Sequence, residues 1–352
     1  MTGEFAPNRS YGVDRDDARY RSSFRVGGVS VALNGSCIDD VALLSSLEPF
    51  RVESGACNVE IQVDWVAAIP QRVGLSAFDS GSTWELSVRG EEFQFDFNAA
   101  VFGSKSFKRL LIDRAFRQAT LQLSEECLAD FPFGVEPLGY PLDELLIMHR
   151  LTQEKAIELH STGIVRRNGD ANLFVGHSGA GKSTTTRLWT VREDVEVLSD
   201  DRIIVRRDDS SPHSPEAETP HEAAAAACGR GTVRPRDRSG TATGHSAQEE
   251  RKKGMRMYGT PWHGEAMYAS PNSAPLTRIF VLEHGHGNVI TPLTSSQAVA
   301  ELFARSFVPF HRHEYVESAL TFLEEVVDSI PVYRYDFEPD ERAVEKIIHF
   351  HD

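Results

Sequence analysis

Eight residues, Gly176-His177-Ser178-Gly179-Ala180-Gly181-Lys182-Ser183, constrain this chain more than any other stretch, because they fit G-x-x-x-x-G-K-[ST] without a gap. Ala171-Asn172-Leu173-Phe174-Val175 before them reads as a short apolar strand, and a helix is predicted to begin near Lys182. That setting is what such a loop needs. Its glycines let successive backbone N–H groups point inward at phosphate oxygens, and the helix N-terminus adds the positive end of its dipole. Lys182 would reach the β- and γ-phosphates of a nucleotide and Ser183 would offer its hydroxyl to magnesium, with Thr184 beside them. The plainer alternative is a glycine turn with an incidental lysine, and it leaves the flanking strand and helix unexplained.

A second element follows at short range. Val195-Glu196-Val197-Leu198-Ser199 reads as a strand that ends in Asp200-Asp201. Strand ends are where open α/β sheets place ligands. Taken alone, an Asp-Asp pair there is more often a turn or a helix cap. Beside a triphosphate, two carboxylates can divide the work, and the expected division makes Asp201 a magnesium ligand and Asp200 a base for an incoming hydroxyl.

Outside this region the chain reads in blocks. Residues 1–22 are polar and are expected to form a disordered leader, and residues 23–139 a strand-rich domain. Its strands are predicted from alternation in Val29–Leu33, Val59–Val63, Trp84–Val88 and Phe93–Phe97. Phe107 to Glu126 is predicted to be a helix, with Leu110, Leu111, Ala115, Leu121 and Leu123 as core contacts. Turn residues in Phe131–Gly134 and Gly139-Tyr140-Pro141 mark the boundary, and residues 140–352 form the second domain.

Residues 208–253 carry five consecutive alanines and almost no large apolar side chains, so they are expected to be a disordered insert. Arg202–Arg206 before it and Met255–Gly259 after it have strand character and would join as a hairpin. Later elements are a strand at Arg278–Leu282, a serine-capped helix from Ser295 to Ser306, a helix from Tyr315 to Ile330, a strand at Val332–Phe337 and a helix from Arg342 to His349.

Bulk properties exclude some partners. The chain has 352 residues, with 37 Lys and Arg against 52 Asp and Glu, a net charge of −15 that repels nucleic acid and anionic lipid surfaces. No stretch is long and apolar enough to span a membrane and no signal pattern opens the chain, so a cytoplasmic address is expected. Cys37, Cys57, Cys127 and Cys228 lack metal-ligand spacing and are expected to be reduced thiols. The pairs His284/His286 and His311/His313 read as surface histidines.

Phosphate loop, short helix and Asp-Asp pair in close succession resemble the catalytic half of HPr kinase/phosphorylase and, more distantly, the ATP-dependent phosphoenolpyruvate carboxykinases. His160-Ser161-Thr162-Gly163-Ile164-Val165 is similar to the His-Gly-containing strand that precedes the loop in HPr kinase. The resemblance is best over residues 140–206. It continues more loosely into Tyr258-Gly259-Thr260-Pro261-Trp262-His263-Gly264-Glu265, which resembles a segment of HPr-kinase-like proteins rather than the Gly-rich signature of true HPr kinases. Thr184 also departs from the glutamate usual there.

The resemblance implies an α/β fold with a P-loop core of the HPr kinase/phosphoenolpyruvate carboxykinase type and a smaller strand-rich N-terminal domain. It implies an ATP- and Mg²⁺-dependent kinase that phosphorylates a hydroxyl, on a serine of a protein or peptide or on a small molecule. His160 would lie close to the reacting phosphate and share catalysis with Lys182, Asp200 and Asp201. Two alternatives stay open: an ATP-binding regulator without catalysis, and an NTP hydrolase coupled to a partner. Self-association is open too. The loop at residues 258–265 is a candidate for either the nucleotide or the acceptor side, and Arg187 and Arg278 are candidate phosphate clamps.

Overall fold

The computed structural model describes residues 20–53, 55–71, 74–81, 83–129, 136–207 and 254–351. Residues 1–19, the Phe131–Gly134 part of the expected boundary, and residues 208–253 with Cys228 lie outside them.

Eight strands build a first sheet. In chain order they are β1 (Tyr20–Val26), β2 (Val29–Gly35), β3 (Val59–Val66), β4 (Leu75–Asp79), β5 (Trp84–Arg89), β6 (Glu92–Asn98), β7 (Ser106–Asp113) and β8 (Gln118–Ser124). Their spatial order is β1-β2-β3-β8-β7-β6-β5-β4. The pairs β2/β3 and β3/β8 are parallel and the rest antiparallel, so the sheet is mixed. Between β1 and β2, Gly27 and Gly28 stand at φ 58° and 80°, the positive angles that a two-residue mirror-image turn demands. β1 therefore starts at Tyr20, inside the segment expected to be a leader, and Ser22 is already buried.

The helix expected over Phe107 to Glu126 is instead the antiparallel hairpin β7–β8. Leu110, Ile112, Leu121 and Leu123 are buried at a spacing of two, while Leu111 and Ala115 are only half-buried. Phe116 in the turn has φ 53°, which a right-handed helix cannot include. Two short strands with apolar residues on either side of a tight turn mimic helical spacing when read as one run.

After α1 (Glu125–Leu128) comes α2 (Leu142–Leu151), led in by Pro141. Leu142, Leu145, Leu146 and Ile147 are buried in the same apolar cluster as Phe24, Val31, Phe95 and Leu110 of the first sheet. Burying a side chain of this size contributes about 1.5–3 kcal/mol, so α2 is held on the first sheet by its leucines.

The second sheet has ten strands: β9 (Ala156–Arg166), β10 (Ala171–Val175), β11 (Val195–Ser199), β12 (Arg202–Arg207), β13 (Met255–Tyr258), β14 (Ser273–Pro275), β15 (Arg278–His284), β16 (Val289–Pro292), β17 (Ser306–Phe307) and β18 (Val332–Phe337). Among the described residues, parallel pairing in this sheet is confined to β10/β15 and β15/β18. The expected hairpin across residues 208–253 is present, with β12 antiparallel to β13 and Arg207 opposite Met255. Helices cover both faces. Trp189 of α3 (Lys182–Thr190) and Val344 and Ile347 of α6 (Glu341–Ile348) pack on one, and Leu302 of α4 (Ser295–Phe303) with Phe322 and Val326 of α5 (His313–Ser329) on the other. α4 ends earlier than expected and is capped by Thr294 in a capping box with Gln297, because the threonine hydroxyl reaches the Gln297 amide. The protein is thus mixed α/β, and no helix among the described residues is long and apolar enough to cross a membrane.

Candidate functional site

The long strand β9 changes neighbours partway along. Ala156–His160 pair with β12 and Leu159 also pairs with β17, whereas Ser161–Val165 pair with β10 and Gly163–Arg166 with β11. His160 sits at the changeover. Its carbonyl accepts from Gly176 N at 3.3 Å, where β10 gives way to the glycine loop, and Ser161 N donates to Asp201 O at 2.9 Å, where β11 gives way to β12. A gap between diverging strand ends is where an α/β sheet can hold a ligand, and both sequence-predicted elements end there.

The loop has the strand–loop–helix setting expected of it. Gly181 stands at φ 99° at the N-cap of α3, and a Cβ there would come within 2.4 Å of Phe337. Thr186 bonds Thr162 of β9 at 3.0 Å, which fixes the helix against the strand. Lys182 is buried and curls back, donating to the carbonyls of Gly176 (2.9 Å) and His177 (3.2 Å). Burial lowers the lysine to about 8, only partly offset by the charge of Asp201.

A cavity of about 350 Å³ opens here, lined by His160, Ser178, Gly179, Gly181, Lys182, Ser183, Thr184, Arg187, Asp201, Gly264 and Glu265. Of the predicted loop residues, Gly176, His177 and Ala180 do not line it; Ala180 is buried in the core under the loop. No large apolar side chain faces the cavity, so its contents must be recognised by charge and hydrogen bonding.

The two aspartates part company. Asp200 is buried, and its carboxylate accepts three backbone N–H groups, from Gly264 (3.0 Å), Ala266 (2.8 Å) and Tyr268 (3.1 Å). It is a clamp for the 264–268 loop, and it does not line the cavity. Asp201 does line it, with Oδ1 at 3.0 Å from His160 Nε2 and Oδ2 taking Arg202 Nε at 3.0 Å. Burial raises its carboxyl, but the His160 hydrogen bond and the Arg202 charge outweigh that and hold it below the ordinary carboxylate range.

Residues 258–265 divide in the same way. Thr260 donates to Arg202 O at 2.7 Å and Trp262 Nε1 to Asp143 Oδ2 at 2.8 Å, so both are buried supports. His263 is exposed, and Glu265 alone of the four brings its side chain to the cavity, 3.8 Å from Arg187. Arg187 thus reaches the site. Arg278 pairs in register with Asn172 at the start of β10, the end of that strand remote from the glycine loop.

Sequence reasoning missed the groups behind Asp201. Arg202, Glu144 of α2, Glu158 of β9 and Phe307 of β17 converge from four elements, and no sequence spacing relates them. Mg²⁺ takes few protein ligands when it rides on a nucleotide, and Ser183 with Asp201 is a suitable hard-oxygen set. Among the described residues no cluster of three or more His, Cys, Asp or Glu is arranged to hold an ion by itself. The sequence matches no protein-family model and no curated protein.

Proposed function

We propose that this protein is an ATP-dependent kinase whose P-loop core is of the HPr kinase type and which transfers the γ-phosphoryl group to a hydroxyl. One observation carries the reading: His160, the adjacent pair Lys182 and Ser183, and Asp201, from three separate chain segments, line one polar cavity at the end of a glycine loop. The resemblance in the loop and in the Asp-Asp pair supports it.

In this reading the loop amides and Lys182 hold the triphosphate, Lys182 exchanging its two carbonyl partners for phosphate oxygens. Ser183 Oγ and Asp201 would hold Mg²⁺, which would supply positive charge to the phosphates. Asp201 Oδ1 accepts the proton of the acceptor hydroxyl, and His160 Nε2 stabilises the carboxylate before transfer. The acceptor oxygen forms a bond to the γ-phosphorus as the bond to the β–γ bridging oxygen breaks, and ADP leaves. Asp200 is not assigned as the base in this reading, since three amides occupy its carboxylate and it does not line the cavity.

The test is incubation with γ-labelled ATP and Mg²⁺, alone and with free serine, an HPr-type protein and peptide acceptors. Label on one acceptor, lost in Lys182→Ala, supports the kinase. ATP binding without transfer favours a regulator, and phosphate release only with a partner favours a hydrolase.

A further inference from the structure

Arg202 stands between the cavity and the first sheet. Its Nε faces Asp201, while Nη1 lies 2.6 Å from Glu144 Oε1 and 3.5 Å from Glu158 Oε1. The centre of the guanidinium is 3.7 Å from the Phe307 ring centroid, and the same ring makes an edge contact with His160 at 6.1 Å between centroids. A guanidinium is a rigid planar fork, so holding Nη1 and one face fixes the direction in which Nε points.

Two carboxylates lie on the inner side of Arg202, and burial disfavours charge on both. Glu158 is fully buried, and burial together with the Glu144 charge pushes its carboxyl well above the ordinary range. Burial raises Glu144 as well, and the Arg202 charge opposes that rise. Glu144, the nearer of the two at 2.6 Å, is the inner partner of Arg202, with a side chain only 11% exposed. A desolvated carboxylate is unfavourable unless it is paired, and here the cation that pairs it is the one that touches Asp201.

Glu144 comes from α2, whose leucines sit in the first sheet's core. Its neighbour Asp143 accepts the Trp262 indole N–H, so α2 also supports the loop that brings Gly264 and Glu265 to the cavity.

We infer that Glu144 is a positioning residue for phosphoryl transfer, holding the Arg202 guanidinium so that its Nε fixes Asp201 in the cavity and links the site to the docking of α2 on the first sheet. This rests on the kinase reading of the cavity. The linkage itself can be read without turnover.

The experiment follows the Arg202 Nε–H resonance in ¹⁵N-labelled full-length protein, identified by its loss in Arg202→Lys. In the parent it is protected from exchange with water. In Glu144→Gln its exchange is expected to be at least about tenfold faster while β9 amides stay protected, and kcat to fall about tenfold with KM for ATP within about twofold. Should that variant not fold, Glu144→Asp, which keeps the charge but shortens the reach, is measured in the same two ways. Unchanged Nε–H protection in a folded variant overturns the inference, and so does an unchanged kcat. A parent protein that transfers phosphate to nothing, yet shows the Nε–H response, sinks the kinase reading and leaves the Glu144–Arg202–Asp201 linkage standing.

Discussion

Asp200 and Asp201 are adjacent in the chain yet serve opposite sides of the same turn. Asp200 faces inward and takes three loop amides at 2.8–3.1 Å, and Asp201 faces the cavity and His160 at 3.0 Å. Their substitutions should separate accordingly. Asp201→Asn is expected to lower phosphoryl transfer on the order of 10²-fold or more while the thermal transition stays near the parent value. Asp200→Asn turns an N–H donor toward amides that need an acceptor, and denaturant unfolding should register a loss of about 1–3 kcal/mol. Equal stability of the two variants would contradict this division.

On the proposed reading of the cavity, Lys182 is expected to make nucleotide affinity depend on pH. Burial has already brought its amine down to about 8, so the free protein sheds the charge above that pH whereas bound phosphate needs it. ATP affinity should be level below pH 8 and weaken above it, by up to about tenfold per unit. Titration calorimetry from pH 6.5 to 9.5 reads the trend. Lys182→Arg should bind more weakly but with a flat profile, and a parent Kd that is constant to pH 9.5 would rule the mechanism out. On stability the sign is reversed. Between about 8 and 10.5 the unfolded chain holds the proton more tightly, so folding gains as pH rises.

His149 sets part of the acid limit. Buried against Phe116 and Phe95, with Nδ1 bonded to Leu145 O at 2.7 Å, it is lowered to about 3 by burial, and the His311 charge adds to this. The unfolded ring titrates near 6.5, so the unfolded state binds more protons between about 3 and 6.5. Stability is full above that window and declines as pH falls through it, at up to about 1.4 kcal/mol per pH unit. His149→Met, close in volume, should flatten the decline by about one proton in urea melts collected from pH 4 to 7. An unaltered slope would mean the ring is not buried neutral.

Glu158 has the opposite linkage. Its carboxyl is pushed up by burial and by Glu144, so above pH 4.5 the unfolded state loses its proton first and stability falls with rising pH. Glu158→Gln keeps the size of the side chain and removes the titration. Its unfolding free energy should equal or exceed the parent's at pH 8, and a loss above about 1 kcal/mol would show that an ionised Glu158 is needed.

What was legible in the sequence follows from how local each signal is. The glycine loop, its strand and its helix are contiguous, and β18 was read to the residue because Val332–Phe337 is bounded by Pro331 and by polar residues. The hairpin β7–β8 was lost because period two across a tight turn imitates period 3.6. Asp200 and Asp201 share residue type and neighbourhood, and what separates them is a loop arriving from residues 264–268. Glu144, Glu158 and Phe307 meet Arg202 only through tertiary packing, which no spacing in the sequence encodes.

Residues 208–253 can be tested as a unit, since β12 and β13 pair up to Arg207 opposite Met255 and Gly254 directly precedes Met255. Replacing 208–253 by one asparagine leaves Asn-Gly254 between the paired residues, a dipeptide suited to a two-residue hairpin turn. The backbone bonds of β12 with β9 and β13 should then form as before. On the sequence-based expectation that 208–253 packs against nothing, loop closure limits any gain to about 2–3 kcal/mol, so the shortened protein should melt at or above the parent temperature and bind ATP with unchanged affinity. A lower midpoint would mean that 208–253 contributes contacts the fold depends on, and an unchanged midpoint with weaker ATP binding would place part of that segment at the cavity.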